Sequence, residues 1–174
     1  YCISCLLIIL ISCDKSYPIY PSVDTIIDGQ LDWQRKLYFE RISDFKKHPI
    51  GYHKIVFLGN SITQGGGNWN DYFGTKNIIN RGISGDTTLG VLARLNEICF
   101  YKPISLFLLI GINDIFNTDS PNRKNITPLS VANNIITIAN VIYKRSPNTE
   151  VYIQTTLPIN NKLYKKLTGT FPCH

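Results

Sequence analysis

The stretch Ile104-Ser105-Leu106-Phe107-Leu108-Leu109-Ile110 is apolar at every position except the second, and a glycine follows it directly. An unbroken apolar run of this length predicts a strand that is buried on both faces, as in a parallel sheet. Shorter runs of the same kind at 54–58, 77–80 and 151–155 indicate three further strands.

Helical patterns alternate with these strands. We predict helices over 31–47 and 87–100, and a third helix that begins at Thr127-Pro128 and ends near Ser146. Their apolar stripes are Trp33, Leu37, Tyr38, Ile42 and Phe45; Leu89, Leu92, Leu95 and Ile98; and Val131, Ile135, Ile138 and Ile142. Strands that alternate with helices predict a doubly wound α/β sandwich.

The composition is that of one globular domain. The chain has 174 residues, of which 44% are hydrophobic and 17% charged, with a formal net charge of +6. The positive charges are scattered along the chain in small local groupings such as Lys46-Lys47 and Lys162, Lys165 and Lys166. A scattered distribution is typical of a solvated surface, so we expect no nucleic-acid partner.

The N-terminal residues have the pattern of an export signal. Residues 3–11 are almost wholly apolar, too few to span a bilayer but suited to a signal peptide, and Ser12-Cys13 resembles a bacterial lipobox. We therefore expect a signal segment at 1–12, a lipid anchor to a bacterial membrane at Cys13, a tether at 13–29 and the domain at 30–174. A buried strand is the alternative for the apolar run.

The cysteines and histidines do not suggest a metal or disulfide framework. Cys99 and Cys173 are the cysteines left after the N-terminal segment, and no Cys/His spacing is that of a metal site. We therefore expect no metal and no cofactor.

Three short segments follow predicted strands, and each contains one residue suited to acyl transfer. They are Gly59-Asn60-Ser61-Ile62-Thr63, the segment 80–88 around Gly85, and Gly111-Ile112-Asn113-Asp114. Acyl transfer needs a nucleophile and donors for an oxyanion, which a serine hydroxyl, a glycine N–H and an asparagine amide can supply. Because ligands bind outside the carboxyl ends of parallel strands, we expect Ser61, Gly85 and Asn113 at one edge of the sheet. Each residue alone is also an ordinary turn or cap residue.

Together these segments resemble the SGNH hydrolases, the superfamily of GDSL-type esterases, lipases and acylhydrolases. The resemblance covers about residues 30–165, and Ile83-Ser84-Gly85-Asp86-Thr87-Thr88 is similar to bacterial acetylhydrolases and sialate O-acetylesterases. It implies a three-layer α/β/α sandwich with a flavodoxin-like parallel sheet. It also implies a serine esterase for short acyl esters, such as O-acetyl groups on carbohydrates, with Ser61 as nucleophile. The implied oxyanion hole is formed by the N–H groups of Ser61 and Gly85 and the Asn113 amide.

The sequence departs from the family pattern at two points. Asn60 stands where the family usually has Asp, and no Asp-x-x-His block occurs in the 174 residues. The resemblance therefore implies that the last strand and helix are missing and that the catalytic His and Asp are not present. His48, His53 and His174 are expected to be surface, capping or terminal residues rather than the general base.

Two other functions remain open at this point. A catalytically inactive member of the family would act as a carbohydrate-binding lipoprotein. A flavodoxin-like nucleotide or flavin binder is the other alternative, but Gly65-Gly66-Gly67 lacks the Lys-Ser/Thr of a phosphate-binding loop.

Overall fold

A four-stranded parallel sheet forms the centre of the molecule in the computed structural model, which describes residues 17–116 and 126–156. The strands are β1 (Ile55–Gly59), β2 (Ile78–Gly82), β3 (Ser105–Leu109) and β4 (Glu150–Ile153), in the order β2-β1-β3-β4. The predicted parallel sheet is confirmed, and each strand lies within two residues of its predicted bounds.

Seven helices connect and flank the strands in the described ranges. They are α1 (Asp32–Lys47), α2 (Ser61–Gly65), α3 (Trp69–Phe73), α4 (Thr88–Ala93), α5 (Leu95–Tyr101), α6 (Ile112–Phe116) and α7 (Pro128–Arg145). The single helix predicted over 87–100 is wrong, because the chain breaks into α4 and α5 at Arg94. The Arg94 side chain turns inward there and binds groups outside both helices.

Helices cover both faces of the sheet. On one face, Val56 and Leu58 of β1 join the main apolar core, whose other members come from β3, α4, α5 and α7, together with Ile50 and Ile110 from the adjoining segments. On the opposite face, the Phe57 ring contacts Phe107 of β3 and Trp69 of α3. The predicted α/β class with a parallel sheet flanked by helices is therefore confirmed.

The strand order creates a crevice at one edge of the sheet. From β1 the chain crosses to β2 on one side, and β3 lies on the other side of β1. The segments that follow β1 and β3 therefore diverge to opposite sides at the carboxyl ends of these strands, where ligands bind in open α/β sheets. Ser61 and Asn113 follow these two strands.

The first described residues are packed on the domain rather than free. Tyr20 donates hydrogen bonds to the Glu97 carboxylate (3.0 Å) and to the Phe45 carbonyl (3.2 Å). Ile27 is 7% exposed and belongs to a second apolar cluster with Tyr38 and other residues of α1. Residues 17–29 therefore pack on the domain and do not form the tether expected at 13–29. This packing is favourable because it removes apolar surface from water.

The remaining N-terminal predictions lie outside the described residues, which begin at Tyr17. These are the signal segment at 1–12 and the lipid anchor at Cys13. Among the helices of the described ranges, none is both long enough and apolar enough to cross a bilayer.

The core on α7 gives a stability prediction with a matched control on the same helix. Ile138 is fully buried and Ile136 is 55% exposed. We expect Ile138→Ala to lower the free energy of unfolding by about 2–5 kcal/mol, because it removes buried methyl groups and leaves a cavity. Ile136→Ala should change it by less than about 0.5 kcal/mol. Urea denaturation measures both, and equal losses would contradict the assigned core.

Candidate active site

Ser61 lies on a tight turn between β1 and α2. It is the first residue of α2 and is exposed, and the preceding Asn60 caps the helix by accepting a hydrogen bond from the Ile62 N–H (3.0 Å). Gly59 is required by the close approach of neighbouring backbone. A Cβ at this position would lie 2.4 Å from the Leu109 carbonyl oxygen. The turn therefore presents a serine hydroxyl at the carboxyl end of a central strand.

Asn60 is almost fully buried, with 1% of its surface exposed. Its Oδ1 makes the cap, whereas its Nδ2 has no hydrogen-bond partner within the described ranges. The capping role agrees with the expectation that the residue before the serine shapes the loop.

Gly85 lies in the loop between β2 and α4 and has a left-handed backbone, with φ of +78°. A Cβ there would also lie 2.8 Å from Cη2 of Trp33, whose indole covers this part of the loop. Both the backbone conformation and the contact favour glycine. No group in the described part of the chain accepts a hydrogen bond from the Gly85 N–H.

Side chains from three other elements fix the backbone of this loop. The Ser84 N–H donates to Oε1 of Gln64 on α2 (2.6 Å), and Nε2 of Gln34 on α1 donates to the Gly85 carbonyl (2.9 Å). Nδ2 of Asn113 on α6 donates to the carbonyl of the next residue, Asp86 (2.9 Å). The loop is thereby tied to the helix that begins with Ser61 and to the segment that carries Asn113.

Gln34 was not singled out by the sequence pattern. It is 1% exposed, whereas Trp33, which the apolar stripe of α1 included, is 55% exposed. The Gln34 amide points inward, where it donates a hydrogen bond to the Gly85 carbonyl. The spacing of apolar residues cannot predict a hydrogen bond of this kind.

Asp114 joins the third segment to the second. Its carboxylate is 3% exposed and accepts hydrogen bonds from the Thr88 N–H (3.0 and 3.1 Å) and the Thr88 hydroxyl (2.5 Å). The Thr88 hydroxyl in turn accepts from Nδ2 of Asn134 on α7 (2.9 Å). The sequence pattern predicted no role for Asp114, although its position directly after Asn113 indicated that it lies at the site.

The residue after Gly85 carries a buried charge. Asp86 pairs with Arg94, whose Nη2 lies 2.8 Å from the carboxylate, and the two side chains are 1% and 4% exposed. Burial raises the pKa of Asp86 to about 6, while the Arg94 guanidinium and the Thr87 N–H act to lower it. Sequence reasoning missed Arg94. A signal was present, because Arg94 lies three residues after Val91 and four before Ile98 on the buried helical face.

The structure brings Ser61, Gly85 and Asn113 to the same edge of the sheet. Asn113 reaches the Gly85 loop through Asp86, and Gln64 links that loop to the helix of Ser61.

The described histidines do not join this group. His48 caps the C-terminus of α1, where Nδ1 bonds the Asp44 carbonyl, and His53 lies in the turn before β1, at the strand end opposite Ser61. His174 lies outside the described residues. Within residues 17–116 and 126–156, no group of His, Cys, Asp and Glu side chains could hold a metal ion.

Comparisons with known proteins agree with this geometry. A family model described as the GDSL-like lipase/acylhydrolase family matches residues 57–169. The chain therefore belongs to the GDSL-like lipase/acylhydrolase family. No curated protein matches the chain.

Solved structures with this fold include three bacterial proteins. A candidate platelet activating factor from Streptococcus pneumonia has 25% identity and a TM-score of 0.57 over 78% of this chain and 70% of its own. A candidate acylhydrolase from Bacteroides fragilis has 24% identity and a TM-score of 0.58, covering 74% and 61%. A GDSL-like lipase from Bacteroides thetaiotaomicron has 24% identity and a TM-score of 0.56, covering 70% and 58%. The match thus spans less than two thirds of the two Bacteroides proteins.

The buried pair gives a pH-dependent stability prediction for Arg94→Met. The substitution removes the guanidinium that lowers the pKa of Asp86, so this pKa should rise above about 6. A carboxyl with a folded pKa above its unfolded value of 3.8 contributes stability at low pH that is lost as the pH rises through the folded pKa. We expect the variant to lose up to about 1.4 kcal/mol per pH unit relative to the wild type between pH 6 and 8.

Urea denaturation at several pH values measures this difference. The double variant Asp86→Asn/Arg94→Met lacks the carboxyl, so between about pH 7 and 8, above the pKa of Asp86 in the wild type, its stability should change with pH as that of the wild type does. Parallel curves for Arg94→Met and the wild type would show that Asp86 is not the titrating group.

Proposed function

We propose that this protein is a serine esterase that hydrolyses short acyl esters. The proposal rests on one observation. An exposed serine, at the first position of α2, lies at the carboxyl edge of the sheet together with the Gly85 loop and Asn113. Membership of the GDSL-like lipase/acylhydrolase family supports hydrolysis of esters.

In the proposed reaction, the Ser61 hydroxyl attacks the ester carbonyl and its proton passes to a base. The carbonyl oxygen then carries negative charge, which N–H donors stabilise when they are held in position before the reaction. The Gly85 N–H and the Asn113 amide are the proposed donors, with the N–H of Ser61 itself. The alcohol leaves, and water then releases the acyl group from Ser61.

The Asn113 contact supports its proposed role. Its Nδ2 donates to the Asp86 carbonyl, which fixes the amide beside the loop that carries Gly85.

The base is unassigned among the described residues. Neither His48 nor His53 forms a hydrogen bond with Ser61, and the serine needs a partner to be an effective nucleophile. In a comparable triad, loss of the serine or histidine lowers kcat by about 10⁶, while the oxyanion hole and binding leave a residual acceleration of ~10³–10⁴ over water. The proposed activity of this chain therefore depends on a base outside residues 17–116 and 126–156.

For the substrate we propose O-acetyl esters of carbohydrates. The support is the similarity of Ile83-Ser84-Gly85-Asp86-Thr87-Thr88 to acetylhydrolases and sialate O-acetylesterases. Fold alone does not select a substrate, so a panel of acetylated sugars and simple acetate esters is the direct comparison.

Ser61→Ala should reduce the hydrolysis of p-nitrophenyl acetate to the background rate, because it removes the nucleophile. Spectrophotometry of released p-nitrophenol measures the rate, and circular dichroism checks that the variant is folded. The control is Ser22→Ala, an exposed serine distant in sequence from the site, which should keep the wild-type rate. More than a third of the wild-type rate in Ser61→Ala would exclude Ser61 as the nucleophile.

Asn113→Ala should lower kcat by about 10²–10³, the loss typical of removing one oxyanion donor. The matched control is Asn133→Ala, an exposed asparagine on α7, which should stay within twofold of the wild type. A loss below threefold in Asn113→Ala would remove this residue from the oxyanion hole. Binding of acetylated sugar without turnover by the wild type would favour the carbohydrate-binding alternative.

A further inference from the structure

Two of the ion pairs within the described ranges are buried, and both join an arginine to a carboxylate. Arg94 pairs with Asp86 at 2.8 Å, with side chains 4% and 1% exposed. Arg81 pairs with Glu97 at 2.9 Å, with side chains 4% and 5% exposed. The pairs are similar in burial and in geometry, because each arginine donates from Nε and Nη2 to its carboxylate. They differ in what else each arginine binds.

Arg94 connects the two loops of the candidate site. Its Nη2 also donates to the carbonyl of Gly59 (3.2 Å), two residues before Ser61, and its Nη1 donates to the carbonyl of Arg81 in β2 (2.9 Å). Asp86, which receives the remaining bonds, directly follows Gly85. One planar side chain therefore binds both the end of β1 that leads to the nucleophile and the loop that carries the proposed donor.

Arg81 binds a different set of groups, although its guanidinium and that of Arg94 both lie over the Phe45 ring. Its Nη2 donates to the carbonyl of His48, after α1 (2.6 Å). The Glu97 carboxylate also accepts hydrogen bonds from the Ile50 N–H (3.2 Å) and from the Tyr20 hydroxyl (3.0 Å). This pair therefore holds the segment between α1 and β1, together with the N-terminal segment, and serves as a structural counterpart to the first pair.

We propose that Arg94 is a positioning residue that fixes the turn of Ser61 relative to the loop of Gly85. The inference rests on the proposed esterase function, in which both residues act on one carbonyl group. A guanidinium holds its donors in a rigid plane, so the bonds to Gly59 and Asp86 set a fixed spacing. A shift of about 1 Å between reacting groups is enough to lower a rate by about 10².

The substitution Arg94→Lys tests this proposal, because lysine keeps the positive charge but lacks the planar fork. It can neutralise Asp86 without also reaching both carbonyls. The matched control is Arg81→Lys, which makes the same change in the other buried pair. We expect Arg94→Lys to lower kcat for p-nitrophenyl acetate by about 10–100-fold with KM within twofold. Arg81→Lys should keep kcat within threefold, while thermal unfolding shows comparable losses of stability for the two variants.

Equal losses of kcat in the two variants would overturn the proposal, because they would reflect stability alone. If a lysine variant does not fold, the uncharged pairs Asp86→Asn/Arg94→Gln and Arg81→Gln/Glu97→Gln replace the two variants, with the same expected contrast. They remove the buried charges, and the amides that replace the two carboxylates keep the size of those side chains.

Amide NMR spectra provide a second measurement that does not depend on turnover. We expect Arg94→Lys to shift the amide signals of both Asn60-Ser61 and Ser84–Thr87, whereas Arg81→Lys leaves the Ser61 signal unchanged. Shifts confined to the Asp86 side would overturn the inference. If the wild type shows no turnover but Arg94→Lys still shifts the amide signals on both sides, the esterase proposal is contradicted, whereas the link between the two loops is supported.

Discussion

The shape of the loop from Ser84 to Thr88 depends on hydrogen bonds that come from outside it. The loop has no strand of its own, and side chains of α2, α1 and α6 bind backbone groups of Ser84, Gly85 and Asp86. Buried backbone groups need such partners, and the loop would lose its conformation without them. This constraint explains why a glutamine of α1 is buried and why the helix that follows Ser61 contacts the Gly85 loop.

Buried charges at the same edge of the sheet act on the geometry as well as on stability. The Asp86 carboxylate and the Asp114 carboxylate are both nearly inaccessible, yet each is bonded to backbone of the segments around it. A buried ion pair by itself contributes little net stability, because desolvation opposes the attraction. These groups act mainly on geometry, because their hydrogen bonds have fixed directions. The bonds hold the ends of three strands, and the residues that follow them, in one arrangement.

Much of the fold could be predicted from the sequence, because local patterns report burial. The run at 104–110 became β3, and the cap at Thr127 with the stripe from Val131 to Ile142 became α7. The shared edge of Ser61, Gly85 and Asn113 followed from parallel topology alone. The break at Arg94 could not be predicted in this way, because its cause is a set of bonds to other elements. The same is true of Gln34, whose partner Gly85 lies 51 residues along the chain, and of the N-terminal segment held by Tyr20.

The central claim is that Ser61 is the nucleophile of an acyl-transfer site. The most direct measurement is peptide mass spectrometry after the full chain has been incubated with a fluorophosphonate, which reacts covalently with activated serines. The account predicts a single adduct on Ser61, reduced when an acetylated sugar competes. An adduct on another residue, or none under conditions that label an active serine hydrolase, would contradict it.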